Sequence, residues 1–249
     1  MQNSRSPLRL GLAAAAASLI AGCSAASSSP GASSSPSARA TTPSPSAPAT
    51  TPSPTQSALS GPQLSSVLLP ASSMPHGFTL DPSATRNTGS QLPSDNPQPV
   101  PASEVCQTFM QTSYIRAAGI ETGVFAQSDF VSADHSQEIA QQIDVFTGTD
   151  AQQAMTKLWQ AFGKCSSFSY QSNGTTVQST LTRSRLSGEG DEAIKAVIVS
   201  PVFKGGETLV AIRMGSQIIT TLYSSSGSDK GSPAVGYARQ IAHRLQAAQ

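Results

Sequence analysis

Residues 24–60 are built almost wholly from Ser, Pro, Ala, Thr and Gly, and this stretch decides where a core can form. Arg39 is its one charge and Leu59 its one large apolar side chain. Such a composition cannot bury enough apolar surface to offset the entropy of ordering it, so the segment reads as a disordered spacer. Roughly 37 residues of this kind reach between ~35 Å as flexible coil and ~115 Å as polyproline II. A packed domain is therefore expected only beyond the spacer, over residues 63–249.

The segment ahead of the spacer has the three parts of an export signal. Arg5 and Arg9 form a short positive region, and Leu10 to Ala21 form an apolar stretch. That stretch is too short to cross a hydrocarbon layer of ~30 Å as a helix, and fits the apolar region of a signal peptide. It ends in Ile20-Ala21-Gly22-Cys23, which resembles the lipobox of bacterial lipoproteins. The resemblance implies cleavage before Cys23 and a lipid on its thiol; the alternative is an ordinary secretory signal that contains a cysteine. Residues 1–22 are thus expected to be a signal peptide and 23–62 a lipid-anchored linker. The membrane, met through that lipid on the extracytoplasmic side of the cell, is the expected partner. Two acyl chains anchor stably where one does so only marginally.

Charge narrows the partners further. The chain carries a formal +1, which becomes −1 once Arg5 and Arg9 leave, and 12% of its residues are charged. This gives no electrostatic footprint for nucleic acid. With Cys23 assigned to lipid, Cys106 and Cys165 remain, and outside the cytoplasm such a pair reads as a disulfide. Two buried free thiols are the alternative. Neither cysteine has a second Cys or His at ligand spacing, so no metal is expected.

Periodicity and turn chemistry lay out the elements. Leu64, Val67, Leu68 and Leu69 form an apolar run ended by Pro70, and residues 70–102 read as an irregular lead-in before an ordered core at about 103–247. Ser103 to Ala118 reads as a helix with Cys106, Phe109, Met110, Ser113 and Ala117 on one stripe, ended by Gly119. Val124–Val131 and Ile139–Thr147 read as strands. Thr149 and Gln152 suggest a capping box for a helix whose stripe is Ala151, Ala154, Met155, Leu158, Trp159 and Phe162, with Gly163 at its end. Asn173-Gly174 joins Phe168–Gln171 to Thr175–Leu186 as a hairpin, and Ala193–Val199 is a further strand. Gly215-Ser216 suits a type II′ turn that would pair Ile212 with Ile219 and Leu209 with Leu222. Ser232-Pro233 opens a last helix with Ala234, Tyr237, Ala238, Ile241 and Leu245 on one stripe. The order predicts an α+β domain, a mainly antiparallel sheet with helices packed on one face.

Cys106, the stretch from Val145 through Trp159 to Cys165, and Gly190-Asp191-Glu192-Ala193 opening a strand resemble the extracellular sensor domain of the mycobacterial PknH kinase and its lipoprotein relatives. The resemblance covers roughly residues 100–247. It implies an antiparallel sheet with packed helices and an open cleft that binds an unidentified ligand. Those sensor domains have two disulfides where this chain can form one, and no binding residue is carried over.

Catalytic chemistry finds no footing in the sequence. G-x-S-x-G, H-E-x-x-H, P-loop and kinase motifs are absent. His76, His135 and His243 are scattered, and Asp134-His135 reads as a solvated turn. No enzyme activity and no cofactor are expected. Arg183 and Arg185 share one face of their strand and are the candidates for holding an anionic ligand; a solvent-facing, snorkelling pair is the alternative. Trp159 reads as core, or as the wall of a pocket. The expected function is a surface-displayed lipoprotein that binds or senses a ligand through a cleft. The alternative is a non-enzymatic envelope protein that docks another protein or a cell-wall polymer.

Overall fold

The computed structural model describes residues 59–89, 100–172, 174–201, 203–224 and 231–249. The expected signal peptide, Cys23 and nearly all of the expected linker lie outside these residues.

Turn chemistry sets the sheet. Thr175–Leu186 (β5) folds back on Ser167–Ser172 (β4) in an unbroken antiparallel register, with Gly174 at φ +76° in the turn. Phe203–Met214 (β7) and Gln217–Ser224 (β8) pair Ile212 with Ile219 and Leu209 with Leu222, as the Gly215-Ser216 turn predicts. Glu192–Ser200 (β6) joins β5 to β7. Val124–Ser132 (β2) and Glu138–Val145 (β3) form a third hairpin, and β3 lies against β8. Phe78–Asn87 (β1) pairs with β2, so one eight-stranded antiparallel sheet runs β1-β2-β3-β8-β7-β6-β5-β4.

Among the described residues four helices complete the α+β domain: Gly61–Val67 (α1), Val105–Thr108 (α2), Asp150–Lys164 (α3) and Ser232–Ala247 (α4). They occupy both faces of the sheet, not one. Leu209 and Ala211 of β7 point to α3 and the 101–118 segment, whereas Val210 and Ile212 point to α1 and α4. The central strands are apolar on both sides because both sides are covered. Phe109, Tyr114 and Phe162 are buried together on the α3 side, with Phe109 and Phe162 ring centroids 4.8 Å apart. Side chains of this size contribute about 1.5–3 kcal/mol each on full burial. On the other side α4 buries Ala234, Ala238, Ile241 and Leu245. Arg244 of α4 donates to the carbonyls of Ser66 and Val67, which lack partners inside the end of α1.

Several sequence expectations change. The single helix over 103–118 is broken into α2 and a 3₁₀ turn, Tyr114–Ala118, which Gly119 ends at φ +63°. Between them Thr112 and Ser113 reach to sheet side chains, and their hydroxyls offer an alternative to the helical ladder. The lead-in contains β1, an edge strand interrupted by a register shift between Asp81 and Arg86; its burial lacks the alternation that would have revealed it. α1 starts inside the stretch assigned to the linker, through a Ser60/Gln63 capping box. The box expected at Thr149 does not form, because Thr149 sits at ψ 6° rather than in the extended conformation that capping needs. Gly163 does not end α3, which continues to Lys164.

Candidate functional site: a polar half-face under the 101–118 segment

The face of the sheet that carries α3 has two unlike halves. Over β5, β6 and β7 it is apolar, with Leu181, Ile194, Ala196, Ile198, Leu209 and Ala211 under the helix. Over β2, β3 and β8 the same alternation places polar groups. Val131, Glu138, Ser224 and Glu207 form one row across four strands. Two residues along are Asp129, Ala140 and Leu222, then Gln127, Gln142 and Thr220. Asp144 is the last residue on this side of β3. Asp144 is 0% exposed, and Asp129 and Glu207 are 2% exposed.

The segment from α2 to the 3₁₀ turn lies over this half. Thr112 donates to Asp129, Ser113 donates to Gln127 Oε1 at 2.8 Å, and the Tyr114 hydroxyl donates to the Val210 carbonyl at 2.6 Å. A disulfide between Cys106 and Cys165, Cα atoms 5.4 Å apart, ties the start of the segment to the end of α3. A cavity of about 250 Å³ opens beside it, lined by Arg86, Thr112, Ser113, Arg116 and Gln127 among others.

Burial dominates the electrostatics. Loss of hydration pushes Asp129 up to about 7, against the Thr112 hydrogen bond; the carboxyls of Glu138 and Asp81 push the same way, and Arg86 opposes them. Asp144 rises to about 7 by burial, although Gln142 Nε2 donates to both its oxygens at 2.8 Å. Glu207 rises to about 8 through burial and then the charge of Glu138, itself raised by burial. Asp129 Oδ1, Gln142 Oε1 and Thr220 Oγ1 are buried without a hydrogen-bond partner. Leaving such an atom unsatisfied costs about 1–3 kcal/mol. Three on one half-face make it poor as pure packing.

A larger groove, about 650 Å³, lies at the other end of the strands between α4 and the β5–β6 and β7–β8 turns. Its charges are already paired. Asp191 accepts from the Gly215 N–H at 2.7 Å and from Arg213 Nη1 at 2.9 Å, and Arg239 pairs with Glu189. Gly190 makes this close approach feasible: it sits at φ +55°, and a Cβ there would stand 2.4 Å from the Arg213 carbonyl oxygen. The Gly190-Asp191 motif therefore fastens two turns together.

Arg183 and Arg185 share a face as expected, but over β5, away from the polar half. Their guanidinium carbons lie 4.0 and 4.8 Å from the centre of the Trp159 ring, which is half-buried. Arg183 also donates to the Trp159 carbonyl and Arg185 pairs with Glu192 at 2.7 Å. His76, His135 and His243 are exposed and are not brought together; Asp134 serves its own turn, accepting from Ser132 and Ser136. Among the described residues no group of three His, Cys, Asp or Glu could hold a metal ion, and no helix is long and apolar enough to cross a membrane.

Sequence reasoning missed Asp129, Glu138, Asp144 and Glu207. A signal was present in Ala140, Gln142 and Asp144 alternating with Ile139, Ile143 and Val145. With helices expected on one face only, the polar side of that alternation reads as solvent-facing.

No family model and no curated protein matches the chain. Among solved structures, the extracellular domain of PknH from Mycobacterium tuberculosis matches with a TM-score of 0.53 at 13% identity. The match covers 76% of this chain and 97% of that one. The likeness is one of fold.

Proposed function

We propose that this protein is an extracytoplasmic lipoprotein, lipidated on Cys23, whose domain binds a ligand on the polar half-face under the 101–118 segment. The observation that carries the reading is the set of buried polar atoms without a partner, the acceptors Asp129 Oδ1 and Gln142 Oε1 and the hydroxyl Thr220 Oγ1, on one half of one face. The extracellular domain of PknH has the same fold, which supports an extracytoplasmic place for this domain. The ligand class is one rich in hydrogen-bond donors. Native mass spectrometry of the protein taken from its own membranes should show a bound mass that Asp129→Asn with Gln142→Leu removes. An unoccupied protein, or a mass indifferent to both substitutions, would overturn the binding reading. Cys23→Ser should move the chain out of the membrane fraction; retention there would overturn the lipid anchor.

One observation favours the second reading, an envelope protein that docks a protein or wall polymer. On the face opposite α3, Thr176, Gln178, Thr180, Thr182 and Ser184 of β5 are exposed, and among the described residues no helix covers them. Loss of wall or protein association on replacing Thr180 and Thr182 with Lys, with the polar half-face intact, would select this reading.

A further inference from the structure

We propose that the β4 edge of the sheet is a self-association surface, on which a second copy of this chain pairs β4 against β4, antiparallel, about a two-fold axis through Ser169. The two edges of the sheet are built differently. The β1 edge carries Asp81, Pro82 and Arg86 and a register shift, the features that keep sheet edges from pairing. The β4 edge carries none of them: its register with β5 is unbroken, and no charged residue occurs between Lys164 and Arg183.

The backbone groups at this edge point outward. The Leu181 N–H donates to the Ser166 carbonyl, so alternate residues from Ser166 face β5. Ser167, Ser169 and Gln171 therefore direct their N–H and C=O groups away from the sheet. All three residues are exposed, and these groups have no partner among the described residues.

A two-fold interface requires a surface that complements itself. With the axis through Ser169, Ser169 meets its own copy and Ser167 meets Gln171 of the second copy, so each outward group gains a partner. No like charges are brought opposite one another. On the α3 side of the sheet Phe168 falls opposite Tyr170 of the second copy. Phe168 and Tyr170 of one chain are already 6.3 Å apart, so pairing joins two such couples into one aromatic cluster. Cross-strand aromatic pairs stabilise by roughly 0.2–1 kcal/mol each. One short strand buries less than the ~800 Å² per partner of a standard interface, so association depends on a raised local concentration, as on a membrane.

The test is thiol crosslinking of the full chain in its membranes with a short bifunctional reagent. Ser169→Cys should give a crosslinked dimer. Thr182→Cys, equally exposed but one strand inward, should give none, because the continuous sheet sets its two copies too far apart. Adding Gln171→Lys to Ser169→Cys should abolish the dimer while the melting curve stays cooperative. No crosslink at Ser169, equal crosslinking at Thr182, or a dimer that survives the added lysine in a folded protein would each overturn the proposal.

Discussion

At Glu207 a carboxyl group sits where water cannot hydrate its charge, beside a second carboxyl, Glu138. An unfolded glutamate titrates near ~4.3 and this one near about 8, so at neutral pH the folded chain holds a proton that the unfolded chain has released. The difference destabilises the fold by on the order of 3 kcal/mol at pH 7. Glu207→Gln removes that requirement with nearly the same shape. Its melting temperature should exceed that of the parent at pH 8 and match it near pH 4.5; no difference at pH 8 would show that Glu207 ionises freely. Gly163 is a second informative position. A Cβ there would stand 2.6–2.8 Å from the Arg183 guanidinium, so Gly163→Ala must lift Arg183 off Trp159. A gain of up to ~1 kcal/mol in helix propensity offsets the ~0.5–1 kcal/mol cation–π contact. Stability should hardly change, while emission from the single tryptophan shifts, which steady-state fluorescence reads directly.

Among elements, the hairpins were the most legible, because Gly174 and Gly215-Ser216 fix turn and register locally. Helices α3 and α4 were legible from their stripes, since one face is buried continuously against the sheet. The 101–118 segment was not. Its apolar spacing is helical, but Thr112 and Ser113 spend their hydroxyls on Asp129 and Gln127, partners that only the folded sheet supplies. What holds this segment in place of a helical ladder is the Cys106–Cys165 disulfide at one end and those hydrogen bonds at the other. The crosslink spans a sequence separation of 59 residues, for which loop-closure entropy gives about 4 kcal/mol. Cys106→Ala with Cys165→Ala should lower unfolding stability by up to that amount in denaturant titrations. Hydrogen exchange should rise first in residues 105–118; uniform exchange across the domain would argue against a strap tied at two points.

For the molecule as a whole, Asp129, Asp144, Glu138 and Glu207 all have folded pKa values above their unfolded ones. Between the two values the folded state binds more protons, so unfolding free energy falls as pH rises. The contribution is complete below about pH 4 and is lost as pH climbs through 7 and 8. Thermal melts should therefore place the stability maximum on the acid side of neutrality, and a maximum above pH 8 would contradict the burial of these groups. The polar half-face stayed hidden in the sequence for a related reason. A carboxylate in a strand reads as a solvent-facing residue until both faces of the sheet are known to be covered. Leu59 and Gln249 line the same groove, beside the β5–β6 and β7–β8 turns, whereas Glu138, Ser224 and Glu207 stand at the opposite ends of their strands. Leu59 and Gln249 thus meet at one pole of the domain, and the row that holds the buried Glu207 closes the other, as far from both as the length of the strands allows.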